Sequence, residues 1–128
     1  MRRIYTGYFS RIQLYQKHDL QPISIAQFNP NWYNGVSFPE LAPSQELLGA
    51  YKYNGLTQTE YEERYTKELR RPEAIRSIEK LKQRALESER DIVLLCYEIP
   101  GEFCHRHILA KLLNNLYPQV FHIEEFVK

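Results

Sequence analysis

The stretch Ile92-Val93-Leu94-Leu95-Cys96-Tyr97 is an unbroken apolar run. A strand with one wet face alternates apolar and polar residues, so a continuous run of this length marks a strand covered on both faces, as in parallel sheets flanked by helices. It is the expected central strand. Downstream, the turn from Glu98 to Glu102 contains Pro100-Gly101. Ile108, Leu109, Leu112, Leu113 and Leu116 then recur at helical spacing until Tyr117-Pro118 ends the helix. Val120 to Val127 reads as a last short strand. A strand, helix, strand unit normally closes as a right-handed parallel crossover.

Upstream elements agree with this. Arg3 to Phe9 combines the strand formers Ile4, Tyr5, Thr6 and Tyr8, with Gly7 implying a bend or a close backbone approach. Ile23 to Phe28 alternates as a second short strand. Thr57-Gln58-Thr59-Glu60 is a capping-box pattern, and Tyr61, Tyr65 and Leu69 follow at helical spacing. Pro72 opens another helix, whose expected buried stripe is Ile75, Ile78, Leu81 and Ala85. Between the second strand and these helices, residues 29–43 carry three prolines, a glycine and three asparagines. That is too much punctuation for a long regular element, while Trp32, Tyr33 and Phe38 suit a packed, ligand-facing loop. The whole reads as a single α/β domain over residues 1–128: an open, mainly parallel sheet flanked by helices in a Rossmann-like, three-layer arrangement.

Composition bounds the function. At 128 residues the chain holds one core. Its 17 basic and 16 acidic residues leave no global field to draw it to nucleic acid or an anionic membrane, although Arg2, Arg3, Arg11 and Lys17 give the first segment a weakly basic surface. No apolar run approaches the roughly 18 residues of a membrane span. Residues 1–7 lack the apolar region of a secretory signal, so the expected location is cytoplasmic. Two cysteines, Cys96 and Cys104, are too few for a disulfide framework.

In open α/β sheets, ligands favour the crevice beyond the carboxyl ends of the strands, where following helices present free N–H groups. Residues 96–107 occupy that position. The string LLCYEIPGEFCHRHILA, Leu94 to Ala110, resembles the C-terminal signature of family 488 of the domains of unknown function. The opening IYTGYF, the central ISIAQFNPNWYNG and the following LAP extend the resemblance over nearly the whole chain. The resemblance implies motif positions at Cys96, Tyr97, Glu98, Cys104, His105 and Arg106, with Tyr5, Gly7 and Trp32 as further signature residues. It implies no particular activity. One departure is that other branches look as if they carry Asp-x-Arg on the second strand, where this chain has Ser24-Ile25-Ala26-Gln27.

Several chemistries compete for these residues. At the first turn of a helix and beside Arg106, Cys104 has the surroundings of a reactive thiol. Helical spacing pairs it with His107, whereas the family motif points to His105. Glu98 is an acid/base or an orienting carboxylate. Arg106 is an anion clamp, or else the partner of Glu98 or Glu102. Cys96, ending a buried strand, equally suits a small hydrophobe. A zinc set of Cys96, Cys104, either histidine and Glu98 matches no standard spacing, and none is assigned. Cys-x7-Cys is not a thiol oxidoreductase pattern, and Glu102 stands where a thiol phosphatase needs arginine.

The resulting expectation is an enzyme for a small anionic or nucleotide-like ligand. Cys104, His105, Arg106 and Glu98 would be catalytic, with Cys96, Tyr97, His107, Tyr5, Gly7, Tyr8 and Trp32 around the ligand. The alternatives are a non-catalytic module stacking nucleic-acid bases on its aromatic rings, or a partner-binding protein in which the motif is a rigid polar network. The sequence specifies no cofactor and no oligomeric state.

Overall fold

All five residues of Ile92–Cys96 are buried, and the strand they form is the middle one of five. The computed structural model describes residues 3–97 and 105–127. In chain order its elements are β1 (Ile4–Tyr8), α1 (Ile12–Lys17), β2 (Gln21–Ser24), β3 (Val36–Ser37), α2 (Gln45–Tyr53), α3 (Gln58–Glu68), α4 (Pro72–Glu87), β4 (Ile92–Cys96), α5 (His105–Leu116) and β5 (Glu124–Glu125). The sheet order is β3-β2-β4-β1-β5, and every pairing is parallel.

Successive side chains of a strand point to opposite faces, and β4 divides the core accordingly. Ile92 and Leu94 join Ile4 and Ile23 in a large cluster closed by α3, α4 and α5. Val93 and Leu95 pack with Phe9, Tyr15, Leu20 and Tyr33 on the α1 side. Each fully buried branched side chain stabilises by roughly 1.5–3 kcal/mol, which accounts for the apolar character of the whole strand.

The elements follow local chemistry. Thr57 and Glu60 exchange the reciprocal capping-box hydrogen bonds that open α3. Pro72 begins α4, whose buried residues are Ala74, Ser77, Ile78, Leu81 and Ala85. Ile75 is exposed: at 100° per residue it lies about a quarter turn from that stripe, which corrects the expected stripe. The second strand ends at Ser24 rather than Phe28, because the Ser24 hydroxyl accepts from Ala26 N at 3.2 Å and bonds Asn29 Oδ1, turning the chain out of the sheet. Within residues 29–43, Val36 and Ser37 form the short edge strand β3.

Gly7 marks a close approach. A Cβ there would stand 2.3 Å from the Tyr15 hydroxyl, which accepts from Tyr8 N at 3.0 Å. The glycine lets α1 lie directly on β1.

Adjacent strands β1 and β4 leave the sheet in opposite directions. β1 leads into α1 on one face and β4 into α5 on the other. Their ends, Tyr8 and Cys96, are register partners. This is the topological switch point at which doubly wound sheets open a crevice.

Candidate functional site

The first turn of α5 stands over this switch point, and its adjacent residues turn to different sides. Arg106 is fully buried. Its Nε and Nη2 donate to the two carboxylate oxygens of Glu125 at 3.1 Å each, and Nη1 donates to Cys96 Sγ at 3.1 Å. Its guanidinium carbon lies 5.8 Å from the Tyr8 ring centroid. The expected anion clamp is thus engaged by an internal anion from β5, in the two-pronged geometry that makes arginine–carboxylate pairs strong.

Glu125 Oε1 also accepts from Thr6 Oγ1 at 2.5 Å and from His107 Nε2 at 3.3 Å. Burial pushes the Glu125 carboxyl up, but the hydrogen bonds from His107, Arg106 and Thr6 outweigh it and hold the group down at about 2. The strand that presents Glu125 is steadied by Asn114. Its side chain donates to Ile123 O at 2.9 Å and accepts from Ile123 N at 2.7 Å, as a neighbouring strand would.

His105 points the other way, toward β2. It is buried, with Nε2 at 3.0 Å from Ile25 O and its ring edge-on to Tyr65 at 5.8 Å. A carbonyl only accepts, so Nε2 carries a proton. Tyr65 is fixed in turn by its hydroxyl, which donates to Leu41 O.

His105 lines a cavity of about 400 Å³ at the carboxyl ends of β2 and β4. One wall is α2, whose residues Gln45, Leu48, Gly49 and Lys52 form a single helical stripe, with Tyr53 beside them. The opposite wall is Gln27, Phe28 and Tyr97. The helix α2 is held at its start by Ser44, which caps Leu47 N at 3.1 Å and donates through its own N and Oγ to the Glu68 carboxylate at 2.8 and 2.5 Å.

The model of the active DUF488-N3 subclade matches residues 15–116, most of the chain. The protein belongs to the DUF488 family. No curated protein and no solved structure matches it. The described members of the motif triplets of this DUF488 protein are therefore divided between a buried frame (Cys96, Arg106) and a cavity wall (Tyr97, His105).

Glu98 and Cys104, with the Pro100-Gly101 turn and Glu102, lie outside the described residues. Among the other expected site residues, Tyr8 lies at the switch point under Arg106. His107 joins Arg106 on Glu125 rather than the cavity. Tyr5 sits farther down β1, edge-on to Phe126 at 5.1 Å, and Gly7 is covered by Tyr15. Trp32 is 57% exposed and is linked to Tyr97 through Phe9, which contacts both rings. Of the expected site residues that are described, the cavity brings together His105 and Tyr97, and Tyr5, Gly7, Tyr8, Trp32, Cys96, Arg106 and His107 do not line it.

Sequence reasoning missed Glu125, Thr6 and the whole α2 wall. For α2 a signal existed: Ser44 three residues before Leu47 is an N-cap preceding an apolar periodicity. Glu125 carried none, being one glutamate of an adjacent pair.

As for a metal, the described residues contain no group of three histidine, cysteine or acidic side chains placed to hold one. A guanidinium 3.1 Å from Cys96 Sγ also opposes a second cation at that thiol.

Proposed function

We propose that this DUF488 protein is an enzyme acting on a small anionic or nucleotide-like ligand bound in the cavity beside His105. The observation that carries this reading is the cavity itself. It lies beyond the strand ends, its volume of about 400 Å³ is within the roughly 300–1,000 Å³ usual for small-molecule sites, and a motif histidine forms part of its wall. The description of the matched subclade as active supports catalysis over a purely structural role for the motif.

In this reading Cys104, bonded directly to His105, is the nucleophile or thiol ligand. His105 Nδ1 is the proton acceptor, its tautomer set by the Ile25 carbonyl. Glu98, bonded to Tyr97, is the acid/base or orienting carboxylate. Arg106 serves as a positioning residue: locked on Glu125, it fixes the first turn of α5 and with it the direction of His105.

The test is alkylation with iodoacetamide in the wild type and in Cys104→Ser, with melting curves of both in the presence of phosphate and nucleoside monophosphates. Cys96 is buried, so rapid labelling reports Cys104. Fast labelling that ligand slows, together with a ligand-induced melting shift lost in the variant, is the expected result. A slow, ordinary thiol and ligand binding indifferent to the substitution would contradict the proposal.

A further inference from the structure

We infer that the cavity under α2 is a nucleoside monophosphate site, in which the base lies on the bare backbone at Gly49 among Phe28, Tyr53 and Tyr97 while Lys52 takes the phosphate. The inference rests on the proposed small-molecule reading and narrows it to a substrate class.

Three observations carry it. Gly49 lies in the interior of the nine-residue helix α2, where glycine is unfavourable relative to alanine. Among the described residues a Cβ added there would meet nothing within 4 Å, so their packing does not require the glycine. The space it leaves belongs to the cavity, and a planar ring can approach a helix this closely only where no side chain intervenes.

Phe28, Tyr53 and Tyr97 are 64, 81 and 54% exposed, all on this one cavity. Rings that normally bury much of their surface are here left facing a shared opening, as a stacking site needs.

The polar lining has a consistent character. Among the described lining residues Lys52 is the only charged side chain and none is acidic, and Gln27 and Gln45 supply amides. An amide presents both donor and acceptor and so matches the mixed edge of a base. The volume, near the lower end of the usual range, suits one nucleotide. The first strand turn also lacks the spaced glycines of a dinucleotide fingerprint, since Gly7 is already filled by Tyr15.

The experiment is calorimetric titration of the full chain with AMP, GMP, CMP, UMP, ribose 5-phosphate and inorganic phosphate, repeated for Gly49→Ala and Lys52→Met. At least one nucleotide should bind about tenfold or more tighter than ribose 5-phosphate. Gly49→Ala should raise the melting temperature by about 2–4 °C, as alanine does in a helix, and yet weaken that nucleotide about tenfold. Lys52→Met should weaken nucleotide and phosphate alike.

Ribose 5-phosphate binding as well as every nucleotide, or Gly49→Ala leaving affinity intact, would overturn the base site while leaving the Cys104 labelling result standing. Binding of none of these compounds would overturn it too, and the labelling experiment then decides the broader reading on its own. A single-stranded oligonucleotide titrated in the same series and bound more tightly than any mononucleotide would replace it with a nucleic-acid face.

Discussion

His105 and Arg106 are neighbours in sequence and opposites in task. Adjacent helical residues point about 100° apart, so one first turn sends His105 over β2 to an open cavity and Arg106 over β1 and β5 to a closed ion pair. On the Arg106 side each prong of the guanidinium has a named partner in Glu125 or Cys96. On the His105 side the walls are apolar rings and amides that face space. A three-residue motif can therefore be one part frame and one part site, and its members should separate cleanly under substitution.

The largest effect is expected on the frame. Arg106→Met takes from the Glu125 carboxylate its two-pronged partner, and Glu125→Gln takes from a fully buried guanidinium the carboxylate that Nε and Nη2 both meet. Each should cost about 3–5 kcal/mol in urea unfolding. The Arg106→Met, Glu125→Met double variant should recover part of that loss, because no buried charge is then stranded. Purely additive losses would break the distinction between the two sides.

Acid should act on the same side. The folded Glu125 carboxyl titrates near 2, below its ordinary 4.5. Its contribution is therefore complete above about pH 4.5 and is lost as the pH falls from there toward 2, on the order of 3 kcal/mol in all. Glu125→Gln should flatten that part of the curve of stability against pH, and an unchanged acid limb would place the acid sensitivity elsewhere.

A smaller loss sharpens the comparison from the opposite face of the sheet. Gly7→Ala forces the Tyr15 ring to move and should destabilise by about 1–3 kcal/mol, with ligand response unaltered. Its failure to destabilise would mean that α1 shifts freely on β1.

The fold was legible because β4 has only apolar residues and because capping chemistry is local: Thr57, Glu60 and Pro72 announce helix starts within a few residues. The site was legible only by half. His105 and Tyr97 belong to a contiguous motif, and the motif's place after the central strand implies a crevice. Glu125 meets Arg106 from 19 residues away, by way of a strand of two residues, and no periodicity encodes that meeting. Gly49 was silent for a related reason: an interior helical glycine acquires meaning only once the space in front of it is seen. Ile75 was misplaced because an isoleucine at near-helical spacing passes for core when Ala74 and Ser77, the smaller residues that actually face inward, are overlooked.

Thermal melting of His105→Gln and Arg106→Lys, each scanned with and without a saturating mixture of the four nucleoside 5′-monophosphates, puts the division of labour to the most direct trial. Arg106→Lys should melt about 5 °C or more below wild type and still be stabilised by ligand. His105→Gln, which keeps a donor for Ile25 O, should melt close to wild type and gain nothing from ligand. The reverse pattern, with ligand response lost in Arg106→Lys and kept in His105→Gln, would contradict the account.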